Sequence, residues 1–177
     1  MSYRKYMNDY RIEQYVDDKG RTKSMAVYVG GDFILAPAIS VRDKRLVPAM
    51  SVVAWIALLG ALFPLTGAEH MFYIMLPFIF STLPLFLLTG PAFLLAFEKE
   101  PMTRERADKI AGRLPRCSIL TALLSGAACL GLVITAVLDR SSMLFGDILF
   151  GVLSLVVAAA ALLIFIKCRE LKARKVG

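Results

Sequence analysis

The stretch 71-MFYIMLPFIFSTLPLFLLTGPAFLLAF-97 holds 27 residues without one charged side chain. As a helix rising about 1.5 Å per residue it would reach ~40 Å. About 20 apolar residues already cross the ~30 Å hydrocarbon core of a bilayer. Residues 71–97 therefore predict a transmembrane helix that must tilt, bend or protrude. Pro77, Pro84 and Pro91 recur every seven residues along it and fall on roughly one face. Each removes a backbone donor and presses on the carbonyl four residues earlier, at Tyr73, Phe80 and Leu87. Ser81, Thr82 and Thr89 lie close enough to answer such carbonyls. Two readings of this helix stand: a hinge or polar track, as in transporters with interrupted helices, or a static kinked span.

Three further apolar stretches flank it, at residues 46–65, 117–138 and 143–166. None contains Lys or Arg, and Asp147 is the one acid within them. A soluble helix of this length would show a polar stripe at a period of 3.6 residues, and these do not. The whole chain is 58% hydrophobic with a mean hydropathy of +0.65. The expected fold is an all-α integral membrane protein with four transmembrane helices and a small N-terminal cytosolic β-hairpin or meander.

Charge sets the expected orientation. Nine Lys and Arg precede residue 46, six lie in the loop 98–116, five follow residue 166, and Arg140 alone lies elsewhere. The positive-inside rule then predicts both termini in the cytoplasm of a cell membrane, bacterial inner or plasma. The outer turns, 66–70 and 139–142, are so short that the spans should form two antiparallel hairpins. A formal charge of +7 would suggest nucleic acid in a soluble chain, but loops facing anionic headgroups explain it more simply. The first apolar run follows a long charged leader, so the first helix is expected to serve as an uncleaved signal anchor.

The leader, residues 1–45, is too rich in Tyr, Ile and Val for a linker. YRIEQYV (10–16) and TKSMAVYV (22–29) flank DDKG, where Gly20 suits a hairpin turn. Gly30-Gly31-Asp32 offers a second turn, and FILAPAI (33–39) a third strand that Pro37 interrupts. So small a sheet is marginal alone. It should rest on the membrane surface, on the loop 98–116 or on a partner chain, and its open edge could accept a strand.

In PMTRERADKIAGRLPRC, Thr103 reads as an N-cap while Gly112 and Pro115 read as stops. Met102, Ala107, Ile110, Ala111 and Leu114 can share one side of this short helix. Arg104, Arg106, Lys109 and Arg113 then face headgroups or water. The tail 167–177 adds Lys172, Arg174 and Lys175 as further headgroup contacts. Small residues at Ala122/Gly126, Ala127/Gly131 and Ala158 to Ala161 predict close helix packing, within one chain or between copies.

The candidate ion or proton site is at the outer face, where Glu69 and His70 occupy one turn, Asp139 and Arg140 the other, and Asp147 lies about one turn inside its span. An ionisable group at membrane depth suggests function, and His titrates nearest neutrality. A wet interface would explain Asp147 equally well. One His, scattered acids and three Cys without ligand spacing suggest no metal and no cofactor. No Gly-rich phosphate loop or nucleophile–base pair is evident. The expected function is therefore a non-enzymatic subunit or regulator of a membrane complex, acting through its cap and basic loop on a protein partner or a second copy. The other reading is a small transporter or channel subunit using the proline helix and Asp147.

Overall fold

The structure, a computed structural model, describes residues 3–16, 21–63, 72–97, 101–138 and 145–176. After a 3₁₀ turn (Tyr3–Asp9) come strands β1 (Tyr10–Val16), β2 (Thr22–Tyr28) and β3 (Phe33–Ala36). Helices α1 (Val41–Gly60), α2 (Phe72–Phe97), α3 (Arg104–Asp108), α4 (Leu114–Leu138) and α5 (Phe145–Cys168) follow, then strand β4 (Lys172–Lys175). Most of the chain is helical.

Three helices are long and apolar enough to cross a membrane: Phe72–Phe97, Arg104–Leu138 and Phe145–Cys168. Helix α1 falls short by the same measure. It opens on Val41-Arg42-Asp43-Lys44-Arg45, which leaves about 15 uncharged helical residues, or ~22 Å. Residues 61–63 leave the helix as a turn, and 64–65, which would complete the expected span, lie outside the described residues. Ser40 starts α1 by accepting the Arg42 N–H on its hydroxyl at 3.3 Å.

The helices pack in a ring, α1 against α2 and α5, and α4 against α2 and α5. Neighbours are antiparallel. Asp43 at the start of α1 meets Lys167 at the end of α5, at 3.0 Å, while Gly60 lies beside Leu153. Trp55 of α1 reaches Thr89 near the far end of α2, and Tyr73 at the start of α2 reaches Thr135 near the end of α4. Phe78 and Phe150 close the centre, with ring centroids 4.8 Å apart.

The bundle is apolar on its outside, and its interior, though mainly apolar, gathers the buried polar groups. Ser51, Ser81, Ser118, Thr121, Ser125, Thr135, Asp147 and Ser154 are buried, while Leu83 and Phe86 are 63% and 70% exposed. Outer faces of this kind in water would form far larger apolar patches than a soluble monomer carries. Lipid resolves that, and association then rests on close packing and interhelical hydrogen bonds. Gly131 illustrates the first: a Cβ there would stand 3.1 Å from Ile74 Cγ1 and 3.5 Å from the Tyr73 ring. At Gly126, where the same packing role is expected, nothing lies within 4 Å.

Two local expectations are corrected. Gly112 and Pro115 do not stop the helix that begins at Arg104; it runs through to Leu138. A π-helical turn, Lys109–Arg113, precedes Pro115. The wider turn suits a position where proline lacks a donor and crowds the carbonyl four residues back. The third strand does not extend the hairpin. β1 pairs with β2 in register Tyr10↔Tyr28 through Val16↔Thr22. β3 pairs with β4 from the tail, Phe33↔Lys175 through Ala36↔Lys172. The reason is steric: Gly30 leaves no room for a side chain beside Asp9 and the Tyr28 hydroxyl, and Gly31 adopts φ +80. The chain thus turns away from β2. The turn at Gly20 lies outside the described residues.

Candidate functional site

The leader, the segment from Met102 and the tail meet at one end of the bundle. Phe33 and Met102 exchange backbone hydrogen bonds, Phe33 N–H to Met102 C=O at 3.0 Å and Met102 N–H to Phe33 C=O at 2.9 Å. Val176 N–H donates to the Asp32 carbonyl at 2.8 Å. The Tyr6 hydroxyl donates to Asp108 Oδ2 at 3.1 Å, and Arg104 pairs with Asp9 at 3.7 Å. The node is Tyr28. Its hydroxyl accepts the Arg104 backbone N–H at 2.9 Å and donates to the Gly31 carbonyl at 2.9 Å.

The sequence reading gave the capping role at Arg104 to Thr103. Thr103 does precede α3, with extended backbone, but its side chain makes no capping bond. The orphan N–H at Arg104 is answered by a phenol 76 residues away. Tyr6, Asp9 and Tyr28 tie this end together, and sequence reasoning missed them. Their one signal was a leader unusually rich in tyrosine.

The apolar side of the connecting helix is as expected: Met102, Ala107, Ile110 and Leu114 are buried and Ala111 half-buried. Its basic residues divide. Arg106 is exposed, Arg104 holds Asp9, Lys109 bonds Glu105 at 2.7 Å, and Arg113 is half-buried. In the tail, Lys172, Arg174 and Lys175 are exposed.

The β1–β2 hairpin is tied to this assembly at its base through Tyr28 and projects from it. Every residue of β1 is exposed, as are five of the seven in β2. Strand alternation puts Tyr10, Ile12, Gln14 and Val16 on one face with Thr22, Ser24, Ala26 and Tyr28. That face carries no charge. Arg11, Glu13, Tyr15, Lys23, Met25 and Val27 share the other. Ile12 is 74% and Val16 67% exposed.

At the opposite end, Asp147 is 2% exposed. It lies on the inner face of α5 with Phe150, Gly151 and Ser154, all buried. This places its side chain inside the bundle, in the first turn of α5. The Tyr73 and Thr135 hydroxyls, 2.7 Å apart, belong to the same end. Thr135 donates to the Gly131 carbonyl at 3.0 Å, so Tyr73 is the donor to Thr135. Glu69, His70, Asp139 and Arg140 lie outside the described residues, and with them the juxtaposition that an outer-face ion site requires.

Between the two ends, α2 runs unbroken through Pro77, Pro84 and Pro91, the last two buried against the neighbouring helices. The nearby hydroxyls serve other carbonyls than those four residues before the prolines. Ser81 donates to Phe78, Thr82 to Ile79 and Thr89 to Leu85, at 2.6, 2.7 and 2.8 Å. Thr89 also accepts the Trp55 indole N–H at 2.8 Å and has the Ser51 hydroxyl at 3.4 Å. On α4, Ser118 and Thr121 bond carbonyls of their own helix. These hydroxyls spend their donor hydrogens on carbonyls of their own helices. Ser125 and Ser154 are buried without a hydrogen-bond partner.

Among the described residues, no three of His, Cys, Asp and Glu gather as a metal-ligand group. Cys168 is buried, while Cys117 and Cys129 are half-buried and unpaired. Comparison with family models, with characterised proteins and with solved structures finds no match.

Proposed function

We propose that this chain is a non-enzymatic subunit or regulator of a membrane complex, and that the β1–β2 hairpin is where it engages a protein partner. The observation that carries this reading is the exposed uncharged face of Tyr10, Ile12, Val16 and Ala26 on a two-stranded ladder with both edges open. An isolated hairpin is marginal in water. Partner contact would bury the face and could pair an edge. The scaffold behind it is built for rigidity, since leader, loop and tail are tied together by Tyr28, Asp9 and the β3–β4 sheet.

In this reading the ring contains four spans, α1 being the first, and both termini are cytoplasmic. Twenty of 21 Lys and Arg then lie on the inner side, in a bacterial inner or plasma membrane. Anionic headgroups are the second partner. A transporter or channel subunit remains the alternative, favoured by one observation, the burial of Asp147 on the inner face of α5.

The test is purification of the full chain in mild detergent, wild type against an Ile12→Glu/Val16→Glu variant. Both positions are exposed, so the variant should fold. A stoichiometric protein that travels with the wild type and is lost from the variant is the expected result. Wild-type chain that purifies free of any such partner would contradict it. Transport in liposomes that Asp147→Asn abolishes would favour the alternative.

A further inference from the structure

Pairing of β3 with β4 leaves an open cleft of about 730 Å³ at the end of α5, lined by Ala36 and Pro37 and by the segment Arg169, Glu170, Lys172, Ala173 and Arg174. Three of these side chains are cationic and one is anionic. Arg169 and Glu170 pair loosely at 3.4 Å. Lys172 and Arg174 are two apart on β4 and so share a face of the strand. Neither makes an ion pair with a described residue. Lys167, the nearest cation on α5, is already held by Asp43.

We propose that this cleft binds a phosphate oxyanion, carried by the headgroup of an anionic phospholipid. The shape suits a phosphate, because Arg and Lys converge on one opening from a helix end and a strand. The depth selects the lipid. The apolar run of α5 ends at Ile166, and Arg169 lies about 4.5 Å farther along the helix axis. That falls within the headgroup layer, about 5–8 Å thick on each side of the hydrocarbon core. The inference rests on the headgroup contact proposed above and gives it a site; it does not depend on the protein partner.

Native mass spectrometry of the full chain, equilibrated with phosphatidylglycerol and phosphatidylcholine in detergent, tests it. The variant is Lys172→Gln/Arg174→Gln, and the control removes two charges from the hairpin region as Arg11→Gln/Arg21→Gln. Retention of phosphatidylglycerol over phosphatidylcholine should fall about fivefold for each cleft side chain replaced and stay unchanged in the control. Equal retention in the cleft variant would overturn the site. So would an equal loss in the hairpin control, which would mean diffuse surface charge. A second arm adds inorganic phosphate to protein in phosphatidylcholine alone. No uptake is expected; uptake sensitive to Lys172→Gln/Arg174→Gln would overturn the lipid as the source.

Discussion

The bundle and the β1–β2 hairpin both expose large apolar side chains, yet the exposure means different things in each. Phe86 and Leu83 project from a helix whose inner face holds Ser81 and the buried Pro84. An apolar outer surface of this kind is what a lipid solvent selects, because leucine and phenylalanine there meet acyl chains while the hydroxyls stay inside on helix carbonyls and neighbouring hydroxyls. Ile12 and Val16 project from a ladder that carries Arg11, Glu13 and Lys23 on its other face. That pattern belongs to an antiparallel sheet with one face awaiting cover. Between the two regions lies a belt of basic residues, from Arg42 to Arg45 and from Lys167 to Lys175. The same raw observation thus predicts a bilayer on one side of the belt and a protein on the other.

The largest effect should come from placing a charge on each surface in turn. Phe86→Lys puts an ammonium in hydrocarbon, a cost of about 2.5–3.5 kcal/mol at the centre of a span. Membrane-inserted yield, measured by alkaline extraction, should drop sharply. Ile12→Lys should leave that yield unchanged while weakening partner capture. Equal losses in both would erase the distinction between the two regions.

Next is a pair of glycines on one helix. Gly131→Leu must displace Ile74 and Tyr73, and overpacking of this kind costs about 1–3 kcal/mol. Gly126→Leu enters open space and should be neutral. Thermal unfolding in detergent reads both, and a neutral Gly131→Leu would contradict the packing of α2 on α4.

Tyr28→Phe removes a hydroxyl bonded on both sides, for about 1 kcal/mol. Hydrogen exchange at the Arg104 amide should quicken, since that N–H loses its acceptor, while amides in α4 and α5 keep their protection. Smallest is Trp55→Phe, which deletes the bond to Thr89. Interhelical hydrogen bonds in membranes average about 0.6 kcal/mol, so a small fall in melting temperature is the expected reading.

Much of the helical layout was legible from residue types. The expected spans 71–97, 117–138 and 143–166 correspond to helices ending within three residues of those limits, because uncharged runs of such length leave few alternatives. What escaped was non-local. β4 reads in sequence as a charge run, Lys-Ala-Arg-Lys, and becomes a strand because β3, some 140 residues earlier, offers it an edge. Pro115 read as a stop because the rule concerns α-turns, and a π-turn relaxes it. The inward position of Asp147 was recoverable from its spacing to Phe150, Gly151 and Ser154, a face at helical period. The capping role of Tyr28 was not, since no local pattern announces a partner 76 residues off.

The most direct test of the contrast is spin-label accessibility in nanodiscs, with labels placed singly at positions 12, 16, 83 and 86. Oxygen concentrates in acyl chains and a charged nickel chelate stays in water. Labels at 83 and 86 should collide with oxygen, and labels at 12 and 16 with nickel, losing that access when a partner is added. Oxygen-accessible labels at 12 and 16 would place the hairpin in the bilayer and contradict a protein-binding role for its apolar face.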